Sequence, residues 1–190
     1  MGKLLRSQIS VKNGWYHVYN RGVNKEPIFL FDENYGEFIG LLNLITDRFK
    51  IEIHAFCLMA NHFHLLVRTP DANISKAIGY LSARYATSFN KTHNRIGPLF
   101  QGRFKSKLIL CENYLHTACR YIHQNPVQSG YVKNPENYEW SSYSDYLNHT
   151  KTFKWLNTSK IFNSFETKKE SDSNPITEFE QFTMPVISKS

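Results

Sequence analysis

The spacing of hydrophobic and polar positions along residues 15–124 predicts a succession of strands and helices. Runs rich in aromatic and β-branched residues, several of them alternating apolar with polar positions, predict strands at residues 15–20, 51–59, 62–68 and 102–110. Apolar positions that recur every three and four residues predict amphipathic helices at residues 32–49, 74–90 and 112–124. Asp32 is the predicted N-cap of the first helix, and Pro126 is predicted to stop the last one.

These elements predict an α+β fold. Ala60 and Asn61 separate the second and third strands, which therefore form a predicted hairpin. The order βαββαβ is that of the ferredoxin-like arrangement, a four-stranded antiparallel sheet with both helices on one face. The helix that contains Tyr121 follows the last strand and is additional to this arrangement.

Composition divides the chain near residue 150. The formal net charge is +7 over 190 residues, and residues 1–150 hold 17 of the 23 basic and 11 of the 16 acidic residues, which leaves +6 there. Residues 166–175 (ETKKESDSNP) are polar and show no apolar period. We therefore predict one domain over residues 1–150 and a C-terminal tail over 151–190 that is partly disordered or ordered by a partner. The positive charge is consistent with a polyanionic partner.

Apolar runs are far shorter than the roughly 20 residues that a membrane-spanning helix needs, so no membrane partner is expected. The three cysteines (Cys57, Cys111 and Cys119) show no CxxC spacing. An odd set of this kind argues against a disulfide framework and for a reducing compartment, and the expected location is the cytoplasm.

Two histidines share one face of the third predicted strand. Side chains in a strand alternate between faces, so His62 and His64 project together while Phe63, Leu65 and Val67 project to the other side. If the apolar set packs on the helices, the imidazoles lie on the open face of the sheet. Such a pair could coordinate one divalent transition ion through both imidazoles. In a chain with eight histidines, the same spacing also arises by chance. A zinc site that adds Cys57 is a lesser hypothesis.

Tyr121 lies beside the buried stripe of the last predicted helix. That stripe is formed by Leu115, Ala118, Cys119 and Ile122. Helical spacing places Asn125 one turn beyond Tyr121 on the same side. A tyrosine in such a position is usually a core or boundary residue, so the residue alone does not indicate a nucleophile.

Three cations alternate along the fourth predicted strand. Arg103, Lys105 and Lys107 share one face, about 6.6 Å apart from the strand rise, with Phe104 and Leu108 on the other. This spacing approximates that of phosphates along a single nucleic-acid strand. A solvated strand face is an equally good interpretation of this motif alone.

Taken in order, five motifs resemble those of one family. They are NRG at 20–22, HFH at 62–64, LFQGRFKS at 99–106, YIHQNPVQSG at 121–130 and YEWSSYSDY at 138–146. The set resembles the single-tyrosine HUH transposases, also called IS200-like. The Asn-Pro-Val after the tyrosine most resembles the branch associated with repetitive extragenic palindromes (REP). The resemblance covers about residues 14–147.

That resemblance implies an enzyme that cleaves and rejoins single-stranded DNA near hairpins through a 5′-phosphotyrosine. Tyr121 matches the nucleophile, and His62, His64 and Asn125 match the residues that hold a divalent metal, Mg²⁺ or Mn²⁺. Asn20 and Arg21 are DNA-binding candidates by motif. His123 is a weaker candidate for the third ligand.

Other functions stay open from the sequence. A catalytically silent module that binds single-stranded DNA or RNA would keep the same fold, and a small metallohydrolase would use the histidines with a carboxylate. Relatives act either as homodimers with shared active sites or alone, and a homodimer is possible here.

Overall fold

The computed structural model describes residues 10–147, 152–166, 179–180 and 182–183. The strands are β1 (Gly14–Arg21), β2 (Glu52–Met59), β3 (His62–Thr69) and β4 (Lys105–Ile109). The helices are α1 (Asp32–Phe49), α2 (Ile74–Thr92), α3 (Glu112–Gln128), α4 (Tyr143–Leu147) and α5 (Ser159–Glu166). Among the described residues, no helix is both long enough and apolar enough to cross a membrane.

The four strands form one antiparallel sheet in the order β2-β3-β1-β4. Helices α1 and α2 pack on one of its faces, where Val18 and Leu65 of the central strands are fully buried with Phe38 and Leu81 of the helices. The Met59–His62 pair closes the predicted hairpin. The ferredoxin-like α+β fold predicted from the sequence is thus confirmed.

Helix α3 covers the β2 and β3 half of the opposite face. Cys57 and Leu66 of the sheet are buried there against Cys119 and Ile122 of α3. The expectation that the imidazoles would lie on an open face is therefore wrong, since that face has a second core of its own. The apolar stripe of α3 required a surface to pack on, and this half of the sheet supplies it.

Two predicted helix boundaries differ from the structure. Phe31, not Asp32, is the N-cap of α1, and Asp32 is its first helical residue, where a carboxylate still favours the positive end of the helix. Helix α3 continues through Pro126 to Gln128. The helix tolerates the lost N–H of the proline, and the carbonyl of Asn125 accepts from the N–H of Ser129 at 3.0 Å.

The fourth strand begins at Lys105 rather than at residue 102. Its ladder with β1 ends at the Tyr19–Lys105 pair, and Gly102 has a φ of 148°, a conformation that side chains disfavour. Arg103 therefore precedes the strand and does not belong to a regular row with Lys105 and Lys107, as the alternation had predicted.

Part of the predicted C-terminal tail packs on the domain. Leu156 forms a parallel bridge to Ile53 of β2, and Leu156, Ile161 and Phe179 are buried. The rest of the predicted tail, residues 151, 167–178, 181 and 184–190, lies outside the described residues. The boundary at residue 150 stays a prediction.

Candidate active site

A cleft of about 660 Å³ lies at the C-terminal end of α3, where the helix passes over the ends of β1 and β3. We call it the histidine cleft. It brings together eight of the nine preferred candidates for nucleophile, metal ligand and DNA contact, and Lys107 is the exception. The residues lining it are Tyr19, Asn20, Arg21, His62, His64, Gln101, Arg103, Lys105, Tyr121, Asn125, Gln128 and Ser129.

His62 is held between two asparagines. The Asn61 amide donates to the carbonyl of Lys25 at 3.0 Å, which leaves its Oδ1 to accept from Nδ1 of His62 at 2.6 Å. Burial lowers the pKa of His62, so the ring is neutral at pH 7. We assign its one proton to Nδ1, because the contact of Nδ1 with Asn61 is the shorter of the two that the ring makes with amide oxygens. Nε2 of His62 then presents a lone pair 3.1 Å from Oδ1 of Asn125. Two acceptor atoms thus converge, as they do around a bound cation.

His64 is fixed by a third histidine. Nδ1 of His64 lies 2.9 Å from Nε2 of His17 on the adjacent strand. Burial, with a smaller effect of the nearby His17, lowers the pKa of His64 to about 2. Burial and then the charge of Lys107 lower the pKa of His17 to about 4. Both rings are neutral at pH 7, and the bond between them leaves Nε2 of His64 to face the cleft.

Tyr121 borders these imidazoles and keeps access to solvent. Its side chain is 42% exposed, although the next five positions of the helix, 122–126, are buried. The ring contacts His64 edge-on with centroids 5.4 Å apart, and contacts His17 at 5.7 Å. The aromatic contacts orient the phenol while its hydroxyl stays reachable by a large substrate.

The NRG motif serves the cleft in three different ways. Asn20 is buried, and its amide donates to the carbonyl of Gly102 at 3.2 Å, which fixes the loop before β4. Arg21 projects beside His62, its partner across the β1–β3 ladder. A Cβ on Gly22 would lie 2.1 Å from the carbonyl oxygen of Glu26, so no larger residue fits this turn.

The cations around the cleft have no acidic partner among the residues that the structure describes. Arg21, Arg103 and Lys105 line the histidine cleft and take part in none of the ion pairs found there. Lys107 lies outside it, in an adjoining cleft with Tyr121. Part of the positive charge predicted from the sequence therefore lies unpaired beside the histidines.

Sequence reasoning missed several residues of this site. His17 and Tyr19 alternate with the buried Tyr16 and Val18, so the period-two rule could have placed them on the face of Arg21. Gln101 lines the cleft from the loop before β4, and its place in the LFQGRFKS motif was the signal that could have found it. Gln128 and Ser129 were missed because Pro126 was expected to end the helix.

Two other predicted candidates lie elsewhere. His123 is fully buried and its Nε2 lies 2.8 Å from Oγ of Ser142, so the ring is a satisfied core residue. Cys57 is also fully buried, and burial raises the pKa of its thiol well above the usual value. Its thiol contacts Sδ of Met59 at 3.7 Å, and among the described residues no group of three His, Cys, Asp or Glu side chains is placed to hold a metal, which argues against the zinc hypothesis.

Residues 10–125 match the family model described as "Transposase IS200 like". The match begins before β1 and ends at Asn125, so it spans both histidines and Tyr121. The chain belongs to the IS200-like transposase family. It is therefore a DNA transposase, a member of an enzyme class that cleaves DNA.

Two similar proteins indicate the branch of the IS200-like family. A Haemophilus influenzae protein named as a REP-associated tyrosine transposase is 30% identical over 118 residues, which cover 56% of this chain and 67% of the relative. A REP-associated tyrosine transposase solved bound to a REP hairpin superposes with a TM-score of 0.63 at 20% identity, covering 76% of this chain and 84% of the other. The resemblance to the REP-associated branch is confirmed.

Proposed function

We propose that this transposase cleaves and rejoins single-stranded DNA beside a hairpin, with Tyr121 as the nucleophile. The observation that supports this most directly is the exposed Tyr121 ring against His64, in the cleft that also holds His62 and Asn125. The related structure was solved with a REP hairpin, which supports hairpin DNA as the substrate class. The unpaired cations supply the attraction for its phosphates.

We propose Mg²⁺ or Mn²⁺ as the metal, held by His62, His64 and Asn125. The donors fit, because Nε2 of His62 and Oδ1 of Asn125 are both acceptors and lie 3.1 Å apart. Neutral imidazole is the form that binds a metal, and burial holds both histidines neutral. A bound divalent ion would supply Lewis-acid polarisation of the scissile phosphate.

The reaction proposed for Tyr121 conserves the phosphodiester. Its phenolic oxygen attacks phosphorus and loses its proton, the bond from phosphorus to O3′ breaks, and the released 3′ oxygen takes up a proton. The product is a 5′-phosphotyrosine with a free 3′-hydroxyl. A second strand's 3′-hydroxyl can reverse the step, so joining needs no nucleotide cofactor. Arg21, Arg103 and Lys105 hold the flanking phosphates in this scheme.

A denaturing gel tests the proposal. Wild-type protein is incubated with single strands that each carry a hairpin flanked by randomised sequence, with Mg²⁺ or Mn²⁺ or with EDTA. We expect a covalent adduct only with metal, its loss in Tyr121→Phe, and its retention in Tyr131→Phe, a matched variant of an exposed tyrosine outside the cleft. Equal adduct from Tyr121→Phe would refute the nucleophile. Tight binding insensitive to EDTA, with no cleavage, would indicate the silent binding module.

A further inference from the structure

A second cleft, of about 400 Å³, adjoins the histidine cleft at Tyr121. We call it the β4 cleft, because Lys107 of β4 lines it. Tyr19, His64 and Tyr121 line both clefts. A strand whose phosphate lies at the Tyr121 hydroxyl can therefore extend into one cleft on one side and into the other cleft on the other side.

The β4 cleft arises from the way α3 crosses the sheet. The helix packs closely on β2 and β3 and only lightly on β4, so a gap remains above the β1 and β4 half. Tyr114, Thr117 and Tyr121 face this gap from α3, since their spacings of three and four residues place them on one side of the helix. His17 and Lys107, which pair across the β1–β4 ladder, form its floor.

The chemistry of this gap matches one nucleotide. Tyr114 is half-buried and presents a ring, and Nζ of Lys107 lies 4.3 Å from the centroid of that ring. Lys107 is exposed and has no acidic partner among the described residues. None of the described residues that line the gap carries a carboxylate, and its volume lies within the roughly 300–1,000 Å³ of ligand pockets. An aromatic surface stacks an unpaired base, and a lysine binds its phosphate.

We propose that the β4 cleft binds one unpaired nucleotide next to the scissile phosphate. Its base stacks on Tyr114, and the ammonium group of Lys107 moves from the ring to the phosphate of that nucleotide. The proposal rests on the proposed function, because it takes Tyr121 as the point where the strand is attached. It assigns the two clefts different tasks, chemistry in one and positioning of a flanking nucleotide in the other.

Stacking is tested by binding in EDTA, where no cleavage is needed. The probe is a fluorescein-labelled single strand with a hairpin and unpaired flanks, followed by anisotropy. We expect Tyr114→Ala to weaken binding about tenfold, which is within the range measured for loss of one stacked base. Tyr114→Phe keeps the ring and is expected to bind within about twofold of wild type. Wild-type affinity in Tyr114→Ala would overturn the nucleotide site.

The phosphate contact is tested by salt dependence, which also covers the case that Tyr114→Ala fails to fold. Each phosphate contact to a single strand contributes about 0.7 to the slope of log affinity against log salt. Lys107→Gln is expected to lower the slope by about this amount. Lys76→Gln, a matched change of an exposed lysine on α2 outside both clefts, is expected to leave it unchanged. Equal slopes for Lys107→Gln and wild type would overturn the contact.

An abasic substitution locates the nucleotide. At one of the two positions that flank the cleavage site, we expect the missing base to weaken wild-type binding about tenfold and Tyr114→Ala binding less than about twofold. If the missing base and Tyr114→Ala weaken binding independently at both positions, the assignment of the stacked base to Tyr114 is overturned. If Tyr114→Ala binds tenfold more weakly but the wild-type protein forms no covalent adduct, the nucleotide site is supported and the proposed cleavage is refuted. If the wild-type protein forms the adduct but Tyr114→Ala binds as tightly as wild type, cleavage is supported and the nucleotide site is refuted.

Discussion

The cations at the two ends of one sheet face differ in whether they have a carboxylate partner. At the far end from Tyr121, Glu52 accepts from Arg68 at 3.1 Å and from Lys160 at 2.6 Å, and lies 3.3 Å from the buried His54. At the end near Tyr121, the cations of the histidine cleft have no acidic partner among the described residues. At the first end both cations are paired with a carboxylate of the chain, and at the second end the cations are left unpaired.

This difference separates structural charge from charge kept for a ligand. The paired end ties α5 to β2, since Lys160 belongs to the helix and Glu52 to the strand. The unpaired end combines neutral imidazoles with unpaired cations and an exposed phenol, groups that are left available to a ligand. Substitutions at the paired end should therefore change the free energy of unfolding, and substitutions at the unpaired end should change metal binding, DNA binding or adduct formation.

The largest effect is expected for His64→Ala at the unpaired end. Loss of an imidazole that positions the metal should lower the rate of adduct formation by the folded protein at least about 100-fold. His54→Ala at the paired end is the matched control. It should lower stability and leave adduct formation by the folded protein at the wild-type rate, as measured on denaturing gels and by urea unfolding. A comparable loss of adduct in both variants would contradict the separation.

Asn125→Ala should have the next largest effect. It removes the amide oxygen that faces Nε2 of His62, so we expect Mn²⁺ affinity to fall about tenfold. Asn125→Asp keeps an oxygen in the same place and should bind Mn²⁺ at least as tightly as wild type. Electron paramagnetic resonance of free Mn²⁺ measures both without any cleavage. Unchanged affinity in Asn125→Ala would remove this residue from the proposed metal site.

Glu52→Gln tests the paired end. Its hydrogen bond with His54, followed by those with Lys160 and Arg68, lowers the pKa of Glu52 to about 2. A carboxylate with a lowered pKa stabilises the fold fully above about pH 4.5, and this contribution is lost as pH falls through about 2. Glu52→Gln should cost about 1–2 kcal/mol at pH 7, and this cost should decrease as pH falls toward about 2. An equal cost at both pH values in urea unfolding would contradict the ionic origin.

The smallest effect is expected for Lys105→Gln in the histidine cleft. Loss of one exposed phosphate contact should weaken DNA binding about threefold at moderate salt and make it less salt-dependent. Lys160→Gln removes a cation that already has an acidic partner, so it should leave affinity unchanged. Anisotropy with the same labelled strand measures both variants. Equal weakening by the two would mean that the cleft cations act only through net charge.

Much of this arrangement could be predicted from the sequence because it depends on side-chain period. Alternation along β3 placed His62 and His64 together, away from Phe63. Helical spacing placed Asn125 one turn from Tyr121, and the two line one cleft. The order of strands and helices predicted the sheet, since few topologies satisfy βαββαβ.

The remaining features depend on contacts between distant segments. The second core forms because the apolar stripe of α3 packs on the β2 and β3 half of the sheet. No local sequence pattern predicts which surface the stripe packs on. Gly102 and the amide of Asn20 meet across 82 positions and move Arg103 off the strand. The His17–His64 pair joins two strands 47 positions apart. Sequence period predicts which face a residue takes but not which residues of two strands meet.

The central claim is that Tyr121 carries the DNA. The most direct measurement is mass spectrometry of the adduct after nuclease and trypsin digestion. The account predicts a nucleotide remnant joined through its 5′ phosphate to the peptide that contains Tyr121, and a free 3′-hydroxyl on the other product. A remnant on another tyrosine, or cleaved DNA with no protein-bound remnant, would contradict it.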